Sequence, residues 1–279
     1  MNEFNQQETF EATNSGHQNT VTNSGLILKT MIGLLVAFGI AIPNLMQGKL
    51  FLSFLYEMNG PGFFFTAIAV TIVLGLIWGG LYRTLMTDHG PIFNSIAFIL
   101  TSAFAGLFLG NALIVAVIIT GYYADIDFEM VMSALMISSG ATFIAVVGGV
   151  VALPRLKMDG PALKFFRNAS ILLVSLTFVS GIMWLLGYFL NMFGITFILE
   201  LYYQLVYGLG PVSIAFSIIC ILAAEFLFLV TLARSKMAVG NEPKHMEFFY
   251  AIILVNAVIR IYVEIFKLVL KILAKNNKK

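Results

Sequence analysis

Long apolar runs separated by short polar connectors make up nearly all of the chain beyond its polar beginning. A helix needs roughly 20 apolar residues to cross a bilayer. Seven stretches approach or exceed that length, at 25–46, 62–82, 91–120, 130–153, 165–190, 211–233 and 248–273. The pattern predicts an all-α membrane protein, a seven-transmembrane-helix bundle over 25–274. Residues 1–24 read as a disordered polar tail and 275–279 as a basic C-terminal tail. Breakers sit where they should: Asn59-Gly60-Pro61-Gly62 before the second run, Pro91 at the head of the third, Pro154 after the fourth. Pro43 is placed to kink the end of the first. The GxxxG pairs Gly75/Gly79 and Gly106/Gly110 suit close helix approach. The third run is long enough to imply a tilt or a break near Asn111. Residues 191–210 are aromatic, interrupted by glycine and carry Glu200, which suits a segment lying at the interface.

Composition strengthens this reading. Hydrophobic residues are 59% of the chain and charged residues 11%, about half the charged share of a soluble domain. The net charge of +2 supplies no basic field for nucleic acid, so the expected partners are the lipid bilayer and other membrane proteins. Cys220 reads as a small buried hydrophobe.

The placement of charge says more than its total. Arg83, Arg155, Lys157, Lys164, Arg167, Arg234, Lys236 and Lys244 fall on the side shared with the N-terminus, and Lys49 alone lies opposite before the last helix. Basic flanks are retained in the cytoplasm, which predicts a cytoplasmic N-terminus and an outward connector at Asp125, Asp127 and Glu129. Lys271, Lys275, Lys278 and Lys279 would then be external if the last segment crosses. That helix is therefore expected to be central and to break the charge rule, or to be re-entrant. With no targeting or retention signal in the sequence, the expected location is a bacterial inner membrane.

Ionisable groups in a span cost about 2.5–3.5 kcal/mol each at a helix centre, so they mark candidate chemistry. The last run carries Asn256, Arg260, Glu264, Lys267 and Lys271 at steps of three or four, along one helix face. Arg260 and Glu264 are spaced to pair. The strip reads as the lining of an ion or proton path with Glu264 as its titrating group, or as a packed internal ion pair with a snorkelling basic end. Glu225 lies mid-span in the sixth run, either as a hydrogen-bond donor between helices or as a second carboxylate that joins Glu264 at a calcium site. His89 and His245 occupy connectors and read as solvated. HExxH, Gly-x-Ser-x-Gly and a phosphate-binding glycine loop are all missing, which argues against an enzyme or an ATP-driven pump. No cofactor is expected; calcium enters as a permeant ion.

Several stretches resemble the Bax inhibitor family, also called the transmembrane Bax inhibitor motif family. They are Ser139-Gly140-Ala141-Thr142-Phe143, the basic connector through Lys157-Met158-Asp159, and Leu163-Lys164-Phe165-Phe166. Ile261-Tyr262-Val263-Glu264-Ile265-Phe266 in the last run is similar to the family's Leu-Tyr-Leu-Asp-Phe-Ile-Asn signature, with glutamate in place of aspartate. The resemblance implies a seven-helix calcium-permeable, pH-sensitive leak, gated by hydrogen-bonded acids on the last two helices. Glu264 falls on the last-helix acid. The sixth-helix acid falls on Val230-Thr231-Leu232-Ala233, where there is none, and Glu225 lies about two turns earlier. Two functions compete on this basis: a pH-sensitive calcium or cation leak, and a non-conducting regulator that binds other membrane proteins such as a quality-control protease. A secondary transporter would show an inverted repeat or paired broken helices, and neither is evident.

Overall fold

A computed structural model describes residues 20–47, 76–123, 126–152 and 160–277. The tail up to residue 19, the breaker at Asn59 to Gly62, most of the second expected span with Gly75, and Lys49 lie outside those residues. So do Asp125, the connector from Pro154 to Asp159, Lys278 and Lys279.

The described chain is helical: α1 Asn23–Gln47, α2 76–86, α3 Pro91–Tyr123, α4 Phe128–Ala152, α5 Gly160–Asn191, α6 Phe197–Tyr207, α7 Pro211–Ala238 and α8 Met246–Asn277. Among the described residues there is no strand, only an isolated antiparallel bridge between Thr20 and Pro243. Among the described residues, four helical stretches are long and apolar enough to cross a membrane: Asn23–Leu45, Pro91–Val117, Phe128–Val151 and Pro211–Ala238. Their outer faces are what hydrocarbon would wet. On α4, Met136, Phe143 and Ile144 are each about 70% exposed, an apolar surface far too broad for a protein dissolved in water.

Local chemistry sets where the helices begin. Asp127 Oδ1 accepts the Met130 N–H at 2.7 Å, so the acidic connector caps α4, and Glu129 follows in the first turn, where the helix dipole favours an anion. Ahead of α3, Asp88 Oδ1 accepts the Gly90 N–H, Gly90 turns at φ +90°, and Pro91 takes the first helical position, where its missing N–H costs nothing. α1 continues through Pro43 to Gln47. α3 runs unbroken past the expected interruption at Asn111. That residue instead accepts a 3.1 Å hydrogen bond from Asn44 on α1, which gives a polar pair in an apolar helix an internal partner.

α8 lies at the centre, packed on α1, α3, α4 and α7, while α5 packs against α7 and α6. At 32 residues it is continuous and about 48 Å long, enough to pass through a core of about 30 Å. α8 is thus central among the described helices, and nothing in it turns back. Its start and end lie on opposite faces of the bundle: Lys29 near the start of α1 reaches Glu247, whereas Leu273 and Asn276 share a cleft of about 320 Å³ with Asp127 and Glu129. The 11-residue α6 is too short to cross, and Glu200 is exposed in its first turn.

The tightest helix contact joins α1 and α3. A Cβ at Gly106 would strike the Ala37 backbone, and one at Gly110 would meet Asn44 and the Ala41 carbonyl. Ala37 and Ala41 are both fully buried, so the glycine pair on α3 faces a small-residue pair on α1. Gly79 meets nothing among the described residues. Gly106→Leu should therefore lower stability in detergent by about 1–3 kcal/mol through overpacking, whereas Gly140→Ala, whose added methyl faces open space, should be neutral or slightly stabilising. Equal unfolding midpoints for the two variants would contradict this packing.

Candidate functional site

Burial of α8 brings its polar residues inside the protein. Asn256 Nδ2 donates to Tyr82 Oη of α2, tying the strip to a second helix. One turn further comes Arg260, half-buried, and after it Glu264. Glu264 Oε1 accepts a 2.9 Å charge-assisted hydrogen bond from Lys267 Nζ, with the two side chains only 14% and 16% exposed. The acid thus has a basic partner at i+3 in addition to the i−4 neighbour anticipated from spacing. Around this level Tyr262 and Phe266 pack in one cluster with Tyr202 and Tyr207 of α6, so the short helix covers this end of the strip.

Lys271 departs from the snorkelling anticipated for a basic helix end. Its side chain is fully buried, and Nζ donates to Ser213 Oγ and Ser217 Oγ at 2.7 Å each and to the Ser213 carbonyl at 3.2 Å. An unpaired ammonium would be costly there, and hydrogen bonds from all three of its N–H groups offset that cost.

Glu225 has its own surroundings on α7. Its carboxylate lies against α4, where a Cβ on Gly149 would sit 3.1 Å from Oε1, so the glycine makes room for it. The buried Oε2 has no hydrogen-bond partner. Ser138 and Thr142, one turn apart on α4, are likewise buried with unpartnered hydroxyls. Buried oxygens of this kind are where ordered water or an ion gains most. Among the described residues, no group of three or more acids, histidines or cysteines is placed to hold a metal ion. Of the residues singled out on the sequence, Asn256, Arg260 and Glu264 share one face of α8, and Glu225 faces Gly149 of α4 from α7.

A second polar assembly, at the opposite end of α8, was not evident in the spacing of residues. Glu247, 1% exposed, precedes the apolar run beginning at Phe248. Its Oε1 accepts both the Thr22 N–H and the Thr22 hydroxyl at 2.8 Å, and Oε2 accepts Lys29 Nζ. The lysine also lies 4.4 Å over the Phe248 ring. Backbone bonds from Val21 N–H to the Glu242 carbonyl and from Gly240 N–H to the Val21 carbonyl hold the same junction. His245 reaches Asp88 at 3.9 Å nearby, linking the α7–α8 and α2–α3 turns. The two halves of the junction lie more than 200 residues apart, so no local motif announces it.

Burial pushes the Glu247 carboxyl upward, but the bonds from Lys29 and Thr22 outweigh this and hold it below its usual 4.5. A depressed carboxyl contributes stability that is complete above the unfolded value and is lost as pH falls through the folded one. Stability should therefore drop below about pH 4.5, and Glu247→Gln should remove that part of the pH profile while lowering stability near neutrality. Chemical unfolding in detergent across this range checks it; an unchanged acid limb in the variant would assign the loss to other carboxylates.

Compared with protein-family models, curated proteins and solved structures, the chain matches none of them.

Proposed function

We propose that the chain is an integral membrane protein of the Bax inhibitor type, a seven-helix bundle in which α8 lines a passive, pH-sensitive pathway for cations, calcium among them. One observation carries this reading: a charged strip runs along the central helix and is enclosed by other helices. Charge in such a position is expensive to keep and is typically kept for transport. Glu264 is the acid that attracts the cation and takes up the proton, and its pairing with Lys267 describes the closed path. Orientation follows the positive flanks, with the N-terminus cytoplasmic in a bacterial inner membrane.

A non-conducting regulator is the second reading, favoured by a different observation. The strip holds Arg260, Lys267 and Lys271 against Glu264 alone, an excess of positive charge that repels cations. Moreover, the chain entering from the N-terminal tail is bonded to the α7–α8 turn through Thr20, Val21 and Thr22. A membrane partner that grasped the tail would pull on the central hairpin.

Purified protein in liposomes loaded with a calcium dye separates the two. The pathway predicts flux above empty vesicles that depends on pH, and Glu264→Gln should alter that dependence by removing the titrating group. Absence of flux from acidic to neutral pH rejects the pathway. In that case crosslinking from native membranes should capture a protein partner, and deletion of residues 1–19 should abolish capture.

A further inference from the structure

The contacts of Lys271 describe a binding site as well as a buried lysine. An ammonium has three N–H bonds, and here all three end on oxygens of α7: the Ser213 hydroxyl, the Ser217 hydroxyl and the Ser213 carbonyl. Ser217 Oγ itself lies 3.1 Å from the Ser213 carbonyl and donates to it, which leaves its lone pairs free to face the ammonium. Ser213 and Ser217 are four residues apart, so they share one helix face, and both are buried. Three oxygens on neighbouring turns of one helix thus converge on a single positive charge.

Hydroxyl and carbonyl oxygens are the hard donors chosen by small cations. None of the three carries a charge. Calcium sites gain affinity from the number of charged ligands, so a neutral set suits a singly charged ion. The titratable groups whose fields reach this point are Lys267 and Glu264 of α8 and Cys220 of α7.

We propose that Ser213 and Ser217, with the Ser213 carbonyl, form a monovalent-cation site between α7 and α8, and that Lys271 fills it with its own ammonium. The lysine is a tethered cation that occupies the position a free sodium or potassium ion would take. The site stands on its own geometry. Its consequence, closure of this end of the strip to free cations, rests on the pathway reading.

Removing the lysine should empty the site and leave three buried oxygens that a free ion can satisfy. The experiment uses full-length Lys271→Ala and Lys271→Gln in detergent, with thermal unfolding followed in sodium, potassium and N-methylglucamine chloride at equal ionic strength. At least one variant should gain a few degrees in sodium or potassium over N-methylglucamine, while the wild type should show no such difference, because a ligand that binds only the folded state raises its midpoint. A lysine with a purely structural role predicts equal destabilisation in all three salts. That result overturns the site, as does failure of both variants to fold in any of them. Liposome flux tests the pathway separately: salt-specific stabilisation without any flux keeps the site and rejects its role in conduction.

Discussion

A charge can remain inside a membrane helix only where other helices shield it from lipid and supply its hydrogen bonds. That requirement falls on α8. It carries Arg260, Glu264, Lys267 and Lys271 within three turns, and the arrangement of α1, α3, α4 and α7 around it follows. These neighbours are themselves apolar, so each presents one face to α8 and another to hydrocarbon. Their few polar residues turn inward, as with Ser213 and Ser217 on α7, or pair with one another, as with Asn44 and Asn111. The outward face of α4 shows the complementary rule, with large apolar side chains left uncovered.

Charge also organises the two ends of α8. At its start, Glu247 gathers Thr22 and Lys29 and so fastens the first helix to the last across most of the chain. At its far end, Asn276 and Asn277 border the cleft that holds Asp127 and Glu129. The end of α8 thus meets the acidic start of α4 on one face of the bundle. An acidic connector can offset a basic terminus locally where the charge rule, which counts only lysine and arginine, registers a conflict.

Helix positions were legible in the sequence because apolar length and helix breakers act locally. α1, α3, α4, α5, α7 and α8 begin within about five residues of the expected spans, and the glycines of 191–210 flank a short helix where no span was expected. The strip at Asn256, Arg260 and Glu264 was legible for the same reason, since helical periodicity alone puts those residues on one face. What could not be read was pairing across helices. Even along α8 itself, spacing offered Glu264 a base at i−4 and left unnamed the one at i+3, Lys267, that bonds to it. Tyr82, Ser213 and Ser217 look like ordinary residues of apolar helices until packing turns them toward α8. The four-residue spacing of the two serines was the one available hint. For Glu225, expected either as an interhelical donor or beside Glu264, the space above Gly149 that its carboxylate enters is a property of α4 invisible from α7.

The glycine–alanine contact between α1 and α3 limits how this molecule can move. With backbones touching at Ala37 and Gly106, neither helix can slide or roll past the other without a steric collision, so the two behave as a single plank. α5 and α6, joined by their own close contact where a Cβ at Gly187 would meet the Leu199 backbone, lean on α7 as a flank apart from that plank. A breathing motion that admitted water or ions to the interior would swing from that flank, leaving the plank and the Glu247 junction as its stationary frame.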